Sequence, residues 1–427
     1  MKRMTDSIMM VKIRTAIHLL ILATLALPSS LLAQTLFIND ATVHTMGSQS
    51  VLQEADVLIR DGRIKSVGLN LSAPADATVL EASGRPVTPG FFSGITALGL
   101  QDIPAEESTV DHALQLEAIR PEFDVTLAFN ANSGLIPITR IEGYTWTVLG
   151  ASRSGSIVGG QGQAVLLDGG YRSFLGDKIL FIDVGADASG QSGGSRAAQW
   201  MLLNQALEEA RSEVLWTPDA LLTVAGRQAL AAYSGAGMVI FNADRASDIL
   251  QVLEFAQRQK INPVITGGAE AWMVADQLAE AGVPVLLNPL VNLPGNFDRL
   301  GARLDNAAIL YEAGVTISFH SDETNNARKL RQLAGNAVAN GLPYDAALAG
   351  LTSNPASIFG LGEDIGTLAE NSRADLVIWS GDPLEVTSAA DQVIIAGKLI
   401  PMVSRQTLLR DRYLPKDPEM PRAYIKP

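Results

Sequence analysis

The chain has 427 residues, of which 47% are hydrophobic and 18% charged, and its formal net charge is −13. That length and apolar content fit a globular protein with a large core and exclude a disordered chain. The acidic balance excludes nucleic acid as a partner, because it repels phosphate backbones. The lack of cysteine excludes disulfides, zinc–thiolate sites, thiol nucleophiles and lipid attachment at a cysteine.

Residues 1–33 read as a secretory signal. Lys2, Arg3, Lys12 and Arg14 form a basic start, "AIHLLILATLAL" supplies the apolar run, and Ala33 is a small residue for cleavage before Gln34. An uncleaved N-terminal anchor is the alternative. An exported, cysteine-free chain fits an oxidising compartment such as a bacterial periplasm. No later segment reaches about 18 continuous apolar residues, so no transmembrane segment is expected after the signal.

Residues 34–88 are β in pattern. "TLFINDATVHTM" alternates, and "ADVLIRDGRIKSVG" reads as strand, turn at Asp61-Gly62, strand. "GSIVGGQGQ" (155–163) lacks a phosphate-loop pattern and is expected to be a structural loop. "SGGSRAAQWMLLNQALEEAR" predicts an amphipathic helix capped by Ser195, with Trp200, Met201 and Leu203 in the core.

From residue 89 to 359 short apolar strands alternate with helices. "GMVIFNA" precedes helix "DILQVLEFAQRQ", "NPVITGG" precedes helix "AEAWMVADQLAEAG", and "GVTISFHSD" precedes helix "NNARKLRQLAGNAVANG". Strands apolar on both faces and spaced by helices predict a parallel sheet, here an α/β fold built as a (β/α)8 TIM-like barrel. After Gly360 the pattern returns to β, in "DIGTLAENSRADLVIWSGD" and "DQVIIAGKLI". Neither terminal block has enough strands to bury a face alone. Segments 34–88 and 360–427 are therefore expected to combine into a small composite β-sandwich. Asn354-Pro355 reads as a helix entry, Asp375 and Asp382 as turn residues.

Four stretches carry a family resemblance. "VTPGFFSGITALGL" is similar to the strand-one motif P-G-[FL]-I-D-x-H-x-H of the amidohydrolase superfamily, "NADRASDI" to its H-A-x-R-A-x-D-I, and "ISFHSD" to its strand-eight signature. The stretch from Asn326 to Glu385, ending "NPASIFGLGEDIGTLAENSRADLVIWSGDPLE", matches the family's closing pattern most specifically. The chain resembles the exported, imidazolonepropionase-like members. The resemblance implies a hydrolase acting on non-peptide carbon–nitrogen bonds, in which divalent metal activates water and the strand-eight Asp moves the proton.

Carried over residue by residue, the strand-one Asp and His pair falls on Ser93, Ile95 and Ala97, the strand-five His on Asn242, and the strand-six His on Gly267 or Gly268. Alternate strand residues share a face, so Ser93, Ile95 and Ala97 are expected in one inward row. Ile and Ala have no lone pairs, so these positions imply a degenerate metal site holding at most one divalent metal ion. Asp322 aligns with the catalytic Asp, and His320 stands two residues before it. Asp244 and Asn242 are candidate companions in the barrel mouth, and Arg245 could face a substrate anion. Three readings remain open: a hydrolase with a rebuilt site and weak chemistry, a non-catalytic partner subunit of an active amidohydrolase, and a periplasmic protein that binds a small molecule or peptide. The family's habit of assembly implies a homo- or hetero-oligomer.

Overall fold

The computed structural model describes residues 35–49, 51–152, 155–213, 219–235, 237–321 and 323–414. The signal, residues 1–33, and Asp322 lie outside the described residues. Among the described residues no helix is long and apolar enough to cross a membrane.

The first strands are β1 (Leu36–His44), β2 (Val51–Arg60), β3 (Arg63–Leu69), β4 (Thr78–Glu81) and β5 (Pro86–Pro89). Asp61 and Gly62 both take left-handed backbone angles (φ 57° and 75°), as a two-residue turn between twisted antiparallel strands requires. Next come β6 (Phe91–Thr96), β7 (Tyr144–Leu149), β8 (Val158–Leu166), β9 (Phe174–Asp183), β10 (Met238–Ala243), β11 (Asn262–Gly267), β12 (Val285–Leu287) and β13 (Ile317–Phe319). The last three are β14 (Leu376–Trp379), β15 (Ala390–Ile395) and β16 (Lys398–Leu399).

These form two sheets. One runs β16-β15-β14-β5-β1-β2-β3, with β4 also on β1. The other runs in reverse chain order from β13 to β6 and is a nearly closed barrel. In the first sheet β14 pairs antiparallel with β5, Leu376 opposite Pro89, so strands from both ends of the chain lie side by side. Leu36, Ile38, Val57, Ile59, Ile64, Leu376 and Ile394 form a core of its own.

The barrel departs from the expected all-parallel order at one strand. β8 pairs antiparallel with both β7 and β9, while the remaining described pairings are parallel. β8 contains most of the glycine-rich stretch expected to be a loop. Ladder bonds on both edges outweigh the weak strand preference of glycine there.

Helices follow the predicted order with shifted ends. The helix after β10 is Ala246–Gln259, and the one before Asn340 is a 3-10 segment, Thr324–Lys329, continued by Leu330–Ala339. Helix Arg196–Arg211 forms as expected, but Ser195 makes no side-chain cap, and its carbonyl instead accepts from the Ser192 hydroxyl. Leu203 is buried and Trp200 packs against Phe255, whereas Met201 is 60% exposed. The reason is the narrow stripe: consecutive residues on a helix point 100° apart, so 200, 201 and 203 cannot all face one core. Asn354 sits inside helix Ser353–Ile358 rather than capping it, and its side-chain amide donates to the Ile317 carbonyl at 2.8 Å, tying the helix to β13.

Asp382 accepts from the Tyr344 hydroxyl at 2.7 Å and from Leu384 N at 2.9 Å, as a turn residue does. Asp375 is buried beside β14. One carboxylate oxygen accepts from Ala396 N at 2.6 Å and the other has no hydrogen-bond partner. Burial pushes its pKa up to about 6 from an ordinary 3.8, against the pull of the Ala396 amide and Arg373. The stability this proton confers is complete below pH 3.8 and is lost as pH rises through about 6. At about 1.4 kcal/mol per pH unit the loss approaches about 3 kcal/mol. Asp375→Asn cannot ionise, so urea unfolding should show it gaining about 1–3 kcal/mol on the native chain between pH 4 and pH 8. A difference between the two proteins that stays constant across that range would refute this account.

Candidate functional site

A cavity of roughly 880 Å³ opens at the C-terminal ends of the barrel strands. This is the end where the loops of such barrels gather functional side chains. Its wall takes Ile95 and Thr96 from the end of β6, Ile182 and Asp183 from β9, Asn242 from β10, Thr266 from β11, and His320 just past β13.

The end of β6 is shaped by a bulge. Phe92 pairs with Trp146 and Ile95 with Val148, so Ser93 and Gly94 share a single step of the partner strand. Gly94 takes φ 89°, which a side chain would resist. A bulge breaks strict alternation. Ser93 is therefore not in the inward row expected of it: it is buried and donates to the Trp146 carbonyl at 3.3 Å. Ile95, Thr96 and Ala97 all line the cavity. The strand end is held by hydroxyls. Thr147 donates to the Gly94 carbonyl at 2.8 Å, Thr96 and Thr147 share a 2.8 Å bond, and Ala97 N donates to Thr324 at 3.0 Å.

The other named residues are distributed unevenly. Asn242 lines the cavity and its side-chain amide donates to Asp183 at 2.8 Å. Asp244 is not a lining residue. It accepts from Arg299 Nε at 2.7 Å and from Ala269 N at 3.2 Å, and it is Arg299 that reaches the cavity. Arg245 is exposed at the head of helix Ala246–Gln259, outside the lining. Asp248, in the first turn of that helix, is buried beside Arg196 at 3.5 Å, and burial raises its pKa despite that cation. Gly267 has φ 86°, and a Cβ there would lie 2.8 Å from Asp244 Oδ1 and 3.1 Å from Asn242 Oδ1. The absence of a side chain lets those two polar groups close over the strand end.

Several lining residues had not been singled out from the sequence as site residues. Asp183 carried a usable signal, a carboxylate ending an apolar strand run. Asp187, in the one-turn helix Ala186–Ser189, and Glu323, Arg299 and His112 carried none locally, because segments beyond the strands bring them in. Burial lowers the His112 pKa against the opposing charge of Asp111, which favours a neutral imidazole.

The long segment after β12 is clasped across neighbouring loops. Asp298 accepts from Ala186 N at 2.7 Å and pairs with Arg196. Glu270 accepts from Gly301 N at 2.9 Å and from Ala246 N at 3.1 Å. The Trp272 indole donates to the Gly301 carbonyl at 2.8 Å. These bonds set Arg299 in the cavity wall. Among the described residues no three His, Asp or Glu side chains are grouped to hold a metal ion.

Residues 225–400 match the model of the amidohydrolase family. The solved amidohydrolase from Thermotoga maritima MSB8 superposes with a TM-score of 0.78 over 86% of this chain and 99% of that one, at 24% identity. Residues 225–400 of this chain are similar to the amidohydrolase family, and the superposition shows that the fold is shared. Among curated relatives, the amidohydrolase tasK of Hapsidospora irregularis is 40% identical over 90 residues, 21% of this chain and 9% of that protein. The imidazolonepropionase of Mycolicibacterium smegmatis is 47% identical over 53 residues, 12% of this chain and 13% of that protein. This chain thus spans only a small part of the length of the curated relatives it matches.

Proposed function

We propose that this chain is an exported member of the amidohydrolase family whose barrel mouth binds a small amide- or peptide-like ligand, with little or no family hydrolysis. The observation that carries the reading is the presence of Ile95 and Ala97 in the cavity wall at the end of β6. The family resemblance puts imidazole ligands at those two positions, and neither an alkyl nor a methyl side chain can donate a lone pair to a metal.

The rest of the donor set points the same way. Asn242 spends its amide on Asp183, and Gly267 offers only backbone. These residues do not fit a two-metal centre. Without such a centre, attack on an amide would rest on a positioned base alone. Such bases contribute about 10²–10⁴-fold, while amide-like hydrolysis needs far more. The strand-eight carboxylate of Asp322, with His320 near it in sequence, is then a ligand-positioning group. Asn242, Asp183 and Thr266 offer hydrogen-bonding groups to a polar ligand, and Ile95, Phe181 and Ile240 offer apolar wall.

Elemental analysis of the purified mature protein tests this directly, with an expected content well below two zinc or other divalent ions per chain. Two tightly held ions per chain, together with turnover of an N-acyl or cyclic amide, would overturn it. Mass spectrometry of the exported form should find Gln34 as the first residue; an intact N-terminus would favour the anchor instead.

A further inference from the structure

The last described element is a helix, Arg405–Tyr413, in which none of the nine residues is buried. Leu408, Leu409 and Tyr413 are 62%, 41% and 75% exposed. Leu409 and Tyr413 stand at i and i+4 and share a face. Arg405, Arg410 and Arg412 against the single Asp411 make the helix basic within a chain of net charge −13. A capping box between Ser404 and Thr407 starts it. One cap contributes about 1 kcal/mol. Isolated helices below about 12–15 residues are marginal in water, so a covering surface would account for its persistence.

A second exposed surface of opposite charge lies elsewhere on the same chain. The segment from Asp102 to Glu117 holds exposed Asp102, Glu106, Glu107, Asp111 and Glu117, with no Lys or Arg among them. Ile103 and Leu116, in the same segment, are 57% and 48% exposed. The helix contacts helix Leu135–Arg140 of its own chain. One element is thus basic and apolar, the other acidic and apolar, and both are exposed. Two chains this acidic repel at any contact that lacks local compensation, and this pair of surfaces supplies it.

We infer that helix Arg405–Tyr413 of one copy docks on residues 102–117 of a second copy, reciprocally, as a two-fold dimer. Pro104 and His112 belong to the docked segment and line the barrel cavity, so the partner's helix stands over one wall of the mouth.

Light scattering after size exclusion of the full chain tests this. A dimer is expected at low salt, loosening at high salt as screened charge pairs do. The triple variant Arg405→Glu, Arg410→Glu, Arg412→Glu should raise the dimer dissociation constant at least about tenfold. Adding Glu106→Lys, Glu107→Lys and Asp111→Lys to that variant should restore the dimer. Because the chain has no cysteine, mixing Leu409→Cys chains with Ile103→Cys chains should give a disulfide between copies under mild oxidation. A native mass of one chain at low salt, a dimer untouched by the triple reversal, or loss without rescue by the swapped charges would each overturn the inference. So would a monomer whose helix binds phosphatidylglycerol vesicles.

Discussion

Arg331→Met is expected to destabilise the protein by about 3–5 kcal/mol, read as a lower urea midpoint. Arg331 is only 3% exposed, yet among the described residues its guanidinium bonds to backbone carbonyls rather than to a carboxylate. It donates to the backbone carbonyls of Pro383 at 3.1 Å, Glu385 at 2.6 Å and Ser388 at 2.6 Å, and lies 5.5 Å from the centre of the Trp379 ring. Its own backbone amide donates to the buried Tyr144 hydroxyl at 2.7 Å, and burial raises the pKa of that phenol. Methionine fills most of the space but leaves three carbonyls without donors, each costing about 1–3 kcal/mol when buried. The residue joins the barrel, through helix Leu330–Ala339, to the loop that connects β14 and β15. Its loss should therefore also split unfolding into two transitions, because two cores then lose their shared clasp. A stability change below about 1 kcal/mol would show that water replaces the guanidinium, and the clasp would lose its meaning.

Gly267→His is the second large effect, at about 3–4 kcal/mol of lost stability. Placing a side chain at φ 86° costs about 1–2 kcal/mol. Its Cβ would also meet Asp244 Oδ1 at 2.8 Å, the oxygen that accepts from Ala269 N, so the carboxylate must shift and its bond from Arg299 to the other oxygen is strained. A partly buried ion pair is then weakened and the segment after β12 loosened. The comparison protein is Asn242→His, where the backbone is ordinary strand and the expected cost is below about 1.5 kcal/mol. Under the proposed function, restoring imidazoles at Ile95, Ala97 and Asn242 will not produce a two-metal centre, since the fourth position cannot take one. Equal stability for the two single variants, or two bound zinc ions in the triple histidine variant, would remove the argument.

The amino-acid sequence by itself determined the architecture. Period-two alternation at both ends and apolar strands spaced by helices in the middle are local properties, repeated often enough to specify a barrel and a separate sheet. It also determined that Ile95 and Ala97 would stand at the strand end, since the motif around Pro89-Gly90 sets their register. The tertiary structure alone decided the rest of the cavity. The bulge at Gly94 turned Ser93 away from the expected row, and only pairing with β7 reveals it. The inserted direction of β8 depends on which edges are free when it arrives, which no window of sequence contains. Asp244 looked like a site residue because it stands two after Asn242, and Arg245 because its motif "DRASDI" resembles the family's polar pair at the head of the next helix. Asp244 was drawn instead to Arg299, 55 residues away, and Arg245 was left in solvent. Ion pairs and loop contacts of that range are chosen by distance in space, whereas strand and helix patterns are chosen by distance along the chain.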